Sequence, residues 1–256
     1  MKLHSVSVME GAGVKLNRVF AHSEVKELDP FLLLDHFKSD NPADYVLGFP
    51  WHPHRGIETV TYLITGEVEH QDSLGNKGVI SSGDVQWMTA GSGIIHQEMP
   101  KKYSGTLQGF QLWVNLPKKH KMMKPRYRGI TAKEIPRIDG VKVIAGTYKG
   151  VEGPVQDLMV DVTYLDVTCN KSVKTKIRNG FVYLFEGKGV FNGTELEEQE
   201  LITVEKELVV EGDCRFLLVE GEPLNEPIAW GGPIVMNTEE ELSQAFKDYQ
   251  EGTFIK

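Results

Sequence analysis

The chain has 256 residues, 26 glycines, two cysteines and a formal charge of -8. That length suffices for one large or two smaller well-buried cores, and Cys169 and Cys214, far apart and in no C-x-x-C spacing, argue against both a disulfide framework and a cysteine metal site. The acidic balance argues against direct nucleic-acid binding, and the lack of a signal-peptide pattern or any run of about 18 apolar residues sets the expectation of a soluble, cytoplasmic protein with no membrane partner, nuclear entry staying open for a eukaryotic chain.

In chain order, the segment 51–58 reads Trp51-His52-Pro53-His54-Arg55-Gly56-Ile57-Glu58, and residues 58–64 continue as a β-branched run. Residues 86–100 follow, then 107–114, both with strand composition. Lys118, Lys119, His120, Lys121, Lys124, Arg126 and Arg128 form a basic stretch, read either as a solvated linker or as a docking patch for an acidic protein partner. Further on, Tyr183-Leu184-Phe185-Glu186-Gly187 repeats the pattern of Tyr62-Leu63-Ile64-Thr65-Gly66. Short strands punctuated by glycine, together with this faint repeat, indicate an all-β chain of two barrels or jelly rolls. The division is expected near residues 117–140, giving units of 1–125 and 126–256. A capping box at Thr238 and Glu241, with Leu242, Ala245, Phe246 and Tyr249 at helical spacing, predicts one C-terminal helix packed on the outside of a barrel.

Chemistry concentrates in the first unit. Residues two apart on a strand share a face, so His52 and His54 can reach one ion, and His96 and Glu98 repeat the device after a glycine-containing turn. Four inward donors of nitrogen and oxygen suit a first-row divalent metal. All eight histidines lie at or before residue 120, and an offset of 121 places Val173 and Thr175 where His52 and His54 stand. The second unit is therefore expected to be metal-free. Phe49, Trp51, Trp87, Met88, Ile94 and Met99 surround the motif, either as core or as walls for a flat ring. Glu58 shares sequence parity with His54 and competes with Glu98 for the role of carboxylate ligand.

The stretches His52 to Val60 and Gln86 to Pro100, and the segment Gly232 to Glu241, resemble the pirin family over nearly the whole chain. Pirins are bicupins, and the resemblance implies that His52, His54, His96 and Glu98 hold one divalent transition metal, usually Fe(II), with nickel, copper, manganese and zinc as alternatives. The sequence departs from the general cupin pattern at Gly91, Pro100 and Glu98. Among pirin activities, the resemblance implies a quercetinase-type dioxygenase, opening flavonols such as quercetin with dioxygen and with Glu98 as ligand and base. The alternative it implies is a redox-sensing regulator that binds a transcription factor or a metabolic enzyme.

Overall fold

Strand alternation sorts the first half into a wet face and a dry one. Along Ile57–Thr65, Thr61 faces the interior of the first barrel, while Val60 and Tyr62 enter a core of 26 buried residues on the opposite side. The computed structural model, which describes residues 1–256, continues this two-faced arrangement through two cupin barrels and a single C-terminal α-helix.

The first barrel is a seven-stranded sheet facing a four-stranded one. The larger runs in the order Arg126–Ile130, Val85–Thr89, Ile57–Thr65, Leu107–Asn115, Phe31–Ser39, Val14–Phe20, Val6–Glu10. The smaller runs Phe49–His54, Ile94–Pro100, Glu67–Asp72, Lys77–Ser81. In the second barrel the long strands Ser172–Phe191 and Glu200–Gly221 wrap round each other, so that Phe181 lies opposite both Thr203 and Val219. The expected division into 1–125 and 126–256 is crossed at the level of sheets. Arg126–Ile130 pairs with Val85–Thr89, and the N-terminal Lys2–His4 pairs with Glu200–Gly221.

The barrels meet back to back through the shared core. Phe110 and Phe185 lie 5.0 Å apart between ring centroids, and Tyr62 and Tyr164 lie 6.2 Å apart. Polar ties cross the same interface: the Tyr62 hydroxyl donates to Asp166 at 2.5 Å and accepts from Lys142 Nζ at 2.7 Å, and His36 Nδ1 pairs with the Tyr183 hydroxyl at 2.9 Å. Asp166 is in turn gripped by both Arg215 and Lys142, so its buried charge is compensated. We propose residues 1–125 as the metal-holding unit and 126–256 as its metal-free support. A fragment of 1–125 exposes the Val60, Tyr62 and Phe110 face and is expected to aggregate. Size-exclusion chromatography that finds it monomeric and loaded with metal would overturn this.

The helix Glu239–Gln250 begins at the predicted capping box, in which Thr238 accepts from the Glu241 amide while the Glu241 carboxylate returns to the Thr238 amide. Its buried stripe differs from the expected one. Leu242, Ala245 and Asp248 face inward, whereas Phe246 and Tyr249 remain partly exposed. The reason is electrostatic: Asp248 turns in to meet the buried guanidinium of Arg55 on the metal-bearing side of the first barrel. No helix is long and apolar enough to cross a membrane.

Candidate metal centre

The ligand motif lies on two neighbouring antiparallel strands of the small sheet. His52 stands opposite His96, and His54 opposite Ile94. Two residues on one strand, His96 to Glu98, then span three on the other, His52 to Phe49. This bulge throws Trp51 outward, where it is 47% exposed. The strand ends at a turn through Gly56, whose φ of +79° suits glycine and whose added Cβ would sit 1.9 Å from the Val235 carbonyl oxygen.

The following strand restarts at Ile57, so the parity between His54 and Glu58 read from the sequence does not survive the turn. Glu58 lies on the face opposite Thr61, accepting from Trp87 Nε1 at 3.0 Å and Thr89 Oγ1 at 2.5 Å, with Arg128 at 3.6 Å. It is not part of the histidine-lined cavity.

One donor atom from each of His52, His54 and His96 lies within 4.8 Å of the others. Their tautomers follow from their partners. His52 Nδ1 donates to the Pro50 carbonyl at 2.8 Å and His54 Nδ1 to the Pro233 carbonyl at 3.1 Å. A carbonyl only accepts, so each Nδ1 carries the proton and each Nε2 keeps its lone pair. His96 Nε2 is buried with no hydrogen-bond partner. Burial pushes all three imidazoles below the usual histidine range, His54 and His96 furthest, and the neighbouring rings lower those two further. Three neutral imidazoles with bare nitrogens, one of them orphaned, are a poor packing solution but a good set of ligands for a divalent cation.

Glu98 lines the same cavity and is buried, with Thr61 Oγ1 3.0 Å from its Oε1. Burial pushes its carboxyl up to about 7 against the opposing effect of that hydrogen bond. Glu98 itself and His70, opposite it in register, both lie outside the three-histidine donor group; the His70 Nε2 pairs with the Tyr127 hydroxyl, and those two rings stack at 4.6 Å.

The cavity has a volume of about 580 Å³. Of the six apolar residues flanking the motif in sequence, only Phe49 lines it. Trp87, Met88 and Ile94 are buried in core clusters instead. The principal aromatic walls come from distant segments. Trp113 lies edge-on to His54 at 5.1 Å, Trp230 lies 5.9 Å from Trp113, and His22 stacks on Trp230 at 3.7 Å. Strand alternation from Gln111 was the available signal for Trp113; nothing local marks Trp230.

The basic stretch does not form one exposed patch. Lys121 is 1% exposed, its Nζ donating to the Gly56 and Val235 carbonyls and to Asn115 Oδ1, while Arg126 and Arg128 are half-buried in a strand. Burial pushes the Lys121 ammonium down to about 7. This lysine ties the turn after the ligand strand to the C-terminal Ile234–Met236 strand. The docking-patch reading thereby loses its central cation.

Comparison with known proteins agrees with this architecture. The sequence profile described as Pirin matches residues 13–114, and that described as Pirin C-terminal cupin domain matches residues 164–255. A pirin-like protein of Caulobacter vibrioides is 43% identical over 264 residues, covering 96% of this chain and 94% of that protein. One from Solanum lycopersicum is 42% identical over 265 residues, covering 95% and 88%. A crystal structure of quercetin 2,3-dioxygenase from Acinetobacter baumannii superposes with a TM-score of 0.91 at 35% identity, covering 99% of this chain and 96% of that one. With both halves matched in order and the relatives aligned almost end to end, the chain belongs to the pirin family.

Proposed function

We propose that the protein is a metal-dependent oxidoreductase of quercetinase type, which opens a flavonol with dioxygen and releases carbon monoxide. The observation that carries this reading is the clustering of three imidazole donors within 4.8 Å of one another at an aromatic-walled cavity that His52, His54 and the buried Glu98 line. The Acinetobacter baumannii quercetin dioxygenase, so similar in fold, supports it. We assign His52, His54, His96 and Glu98 as ligands, with Fe(II) as the metal best matched to dioxygen chemistry in a nitrogen and carboxylate environment.

A bound divalent metal supplies an electrophilic, redox-active position for an anionic oxygen ligand and dioxygen. The chain's own residues prepare the flavonol for it. Trp113 and Trp230 present apolar faces to a flat ring system and exclude water from it. Glu98 accepts the proton of the hydroxyl that turns toward the histidines, and Thr61 fixes the carboxylate. Incubating iron-loaded protein with quercetin and following loss of its absorbance together with carbon monoxide tests the reading. Full metal occupancy with neither signal overturns it.

Carboxylate roles separate by substitution. Glu98→Gln is expected to weaken metal retention or to lower turnover by roughly a hundredfold, because an amide is a poorer ligand and no base. Glu58→Gln leaves the cavity's own groups in place and is expected to act mainly on stability, through its bonds to Trp87 and Thr89. Metal analysis and steady-state rates for both variants check this; the opposite ranking would restore Glu58 as the ligand.

A further inference from the structure

The floor of the cavity carries a polar row that the chemistry at the histidines does not use. Across adjacent strands of the large sheet, Thr61 stands opposite Gln111, Gln111 opposite Asp35, and Asp35 opposite Arg18. All four line the cavity, as does Glu10 beyond them. At roughly 4.8 Å per strand the row extends about 14 Å from Thr61, which touches Glu98, to Arg18. The residues two before and two after Asp35 are Leu33 and Phe37, and Trp113 follows Gln111 on the same face, so the polar row runs between apolar ones.

The far end of the row is built to bind. Arg18 grips Asp35 through Nε at 2.9 Å and Nη2 at 2.8 Å, and reaches Glu10 through Nη1 at 2.7 Å. Three of its five N–H groups are thereby used, and two remain free to donate. Asp35 is held in place by burial, its side chain 8% exposed, while Glu10 at 40% exposure keeps free acceptor capacity. The Gln111 side-chain amide lies 2.7 Å from the Thr61 hydroxyl and lines the cavity. One guanidinium set against two carboxylates makes the end acidic overall. It therefore repels a ligand carboxylate or phosphate and favours neutral hydroxyls, which donate to a carboxylate and accept from a guanidinium.

We propose that Arg18, Asp35 and Glu10, with Gln111 beside them, form the specificity subsite for a hydroxylated ring at the end of the substrate remote from the histidines. The substrate class is then a flat, neutral polyphenol with hydroxyls at both ends, a catechol ring being the best match for adjacent donors and acceptors. This rests on the flavonol reading above and deepens it. Apolar rows support the ring faces, and the polar row reads the hydroxyls along one edge.

The test uses metal-loaded full-length protein under nitrogen, so that binding is observed without turnover, and reads quenching of the Trp113 and Trp230 fluorescence. Two probes are compared: quercetin, which has a catechol ring, and galangin, whose corresponding ring has no hydroxyl. Wild-type protein is expected to bind quercetin roughly ten- to a hundredfold more tightly, as charged groups left without a hydroxyl partner penalise the analogue. In the paired substitution Arg18→Met with Asp35→Leu, which leaves no lone charge buried, the preference is expected to collapse to within about threefold. Glu10→Gln, on a more exposed side chain, is expected to reduce it severalfold and serves if the paired variant does not fold. A role confined to bracing the strands would instead lower the melting temperature and leave the quercetin-to-galangin ratio intact, overturning the proposal. Equal affinities in the wild type would overturn it while sparing the flavonol reading. Binding of neither flavonol would overturn both.

Discussion

Replacing His54 with Ala is expected to strip the protein of its metal. One divalent ion per chain is expected in the wild type, since the histidine donor group forms only in the first barrel. His54 is buried and its Nδ1 proton is spoken for by Pro233, so its Nε2 is committed to the centre of the cluster. Loss of a supporting hydrogen bond to a ligand costs metal affinity about ten- to a hundredfold, and removal of the ligand itself should exceed that. His22→Ala and His70→Ala are the controls: one ring stacks on Trp230, and the other has its Nε2 bonded to Tyr127. Plasma emission analysis after challenge with a chelator reads the result. Equal losses at all three positions, or two tightly held ions in the wild type, would mean that the site is wrong.

The second large effect is expected far from the metal in sequence. Arg55, next to His54, is 2% exposed and each of its guanidinium nitrogens has an acceptor: Nε donates to the Ser92 carbonyl at 2.7 Å, Nη1 to Asp248 at 2.8 Å and Nη2 to the Phe254 carbonyl at 3.0 Å. The Phe254 ring covers the guanidinium at 4.2 Å. Asp248→Ala removes the counter-charge and leaves the cation buried, which costs about 3 kcal/mol. For a chain of this size that lowers the melting temperature by roughly 6–12 °C. Because Arg55 and Ser92 flank the two ligand strands, faster loss of metal to a chelator should accompany the change. Thermal unfolding with and without metal checks both parts. A shift below about 2 °C would show that the C-terminal segment is not a brace for the site.

Fold class and histidine donors were legible in the sequence for one reason. Strand alternation is local, so His52 with His54, and His96 with Glu98, declare a shared face without knowledge of what lies opposite. The capping box at Thr238 and Glu241 is legible on the same ground, since its partners sit within one turn. Local parity failed wherever the chain turned or bulged. Glu58 changed faces across the Gly56 turn, and the bulge at residues 50–51 put Trp51 in solvent.

What tertiary structure alone decided is which surfaces meet. Lys121 reads as part of a solvated charge run, yet three oxygens from segments 56, 115 and 235 converge on it and make its burial tolerable. Asp248 looks like the polar face of a helix until Arg55 is placed beneath it. The Thr61, Gln111, Asp35 and Arg18 row exists only as register between strands spread over more than ninety residues, and Trp230 joins it from the opposite end of the chain. Periodicity tells a residue which way to point, but pairing and packing choose its neighbours, and the chemistry of this cavity depends on both.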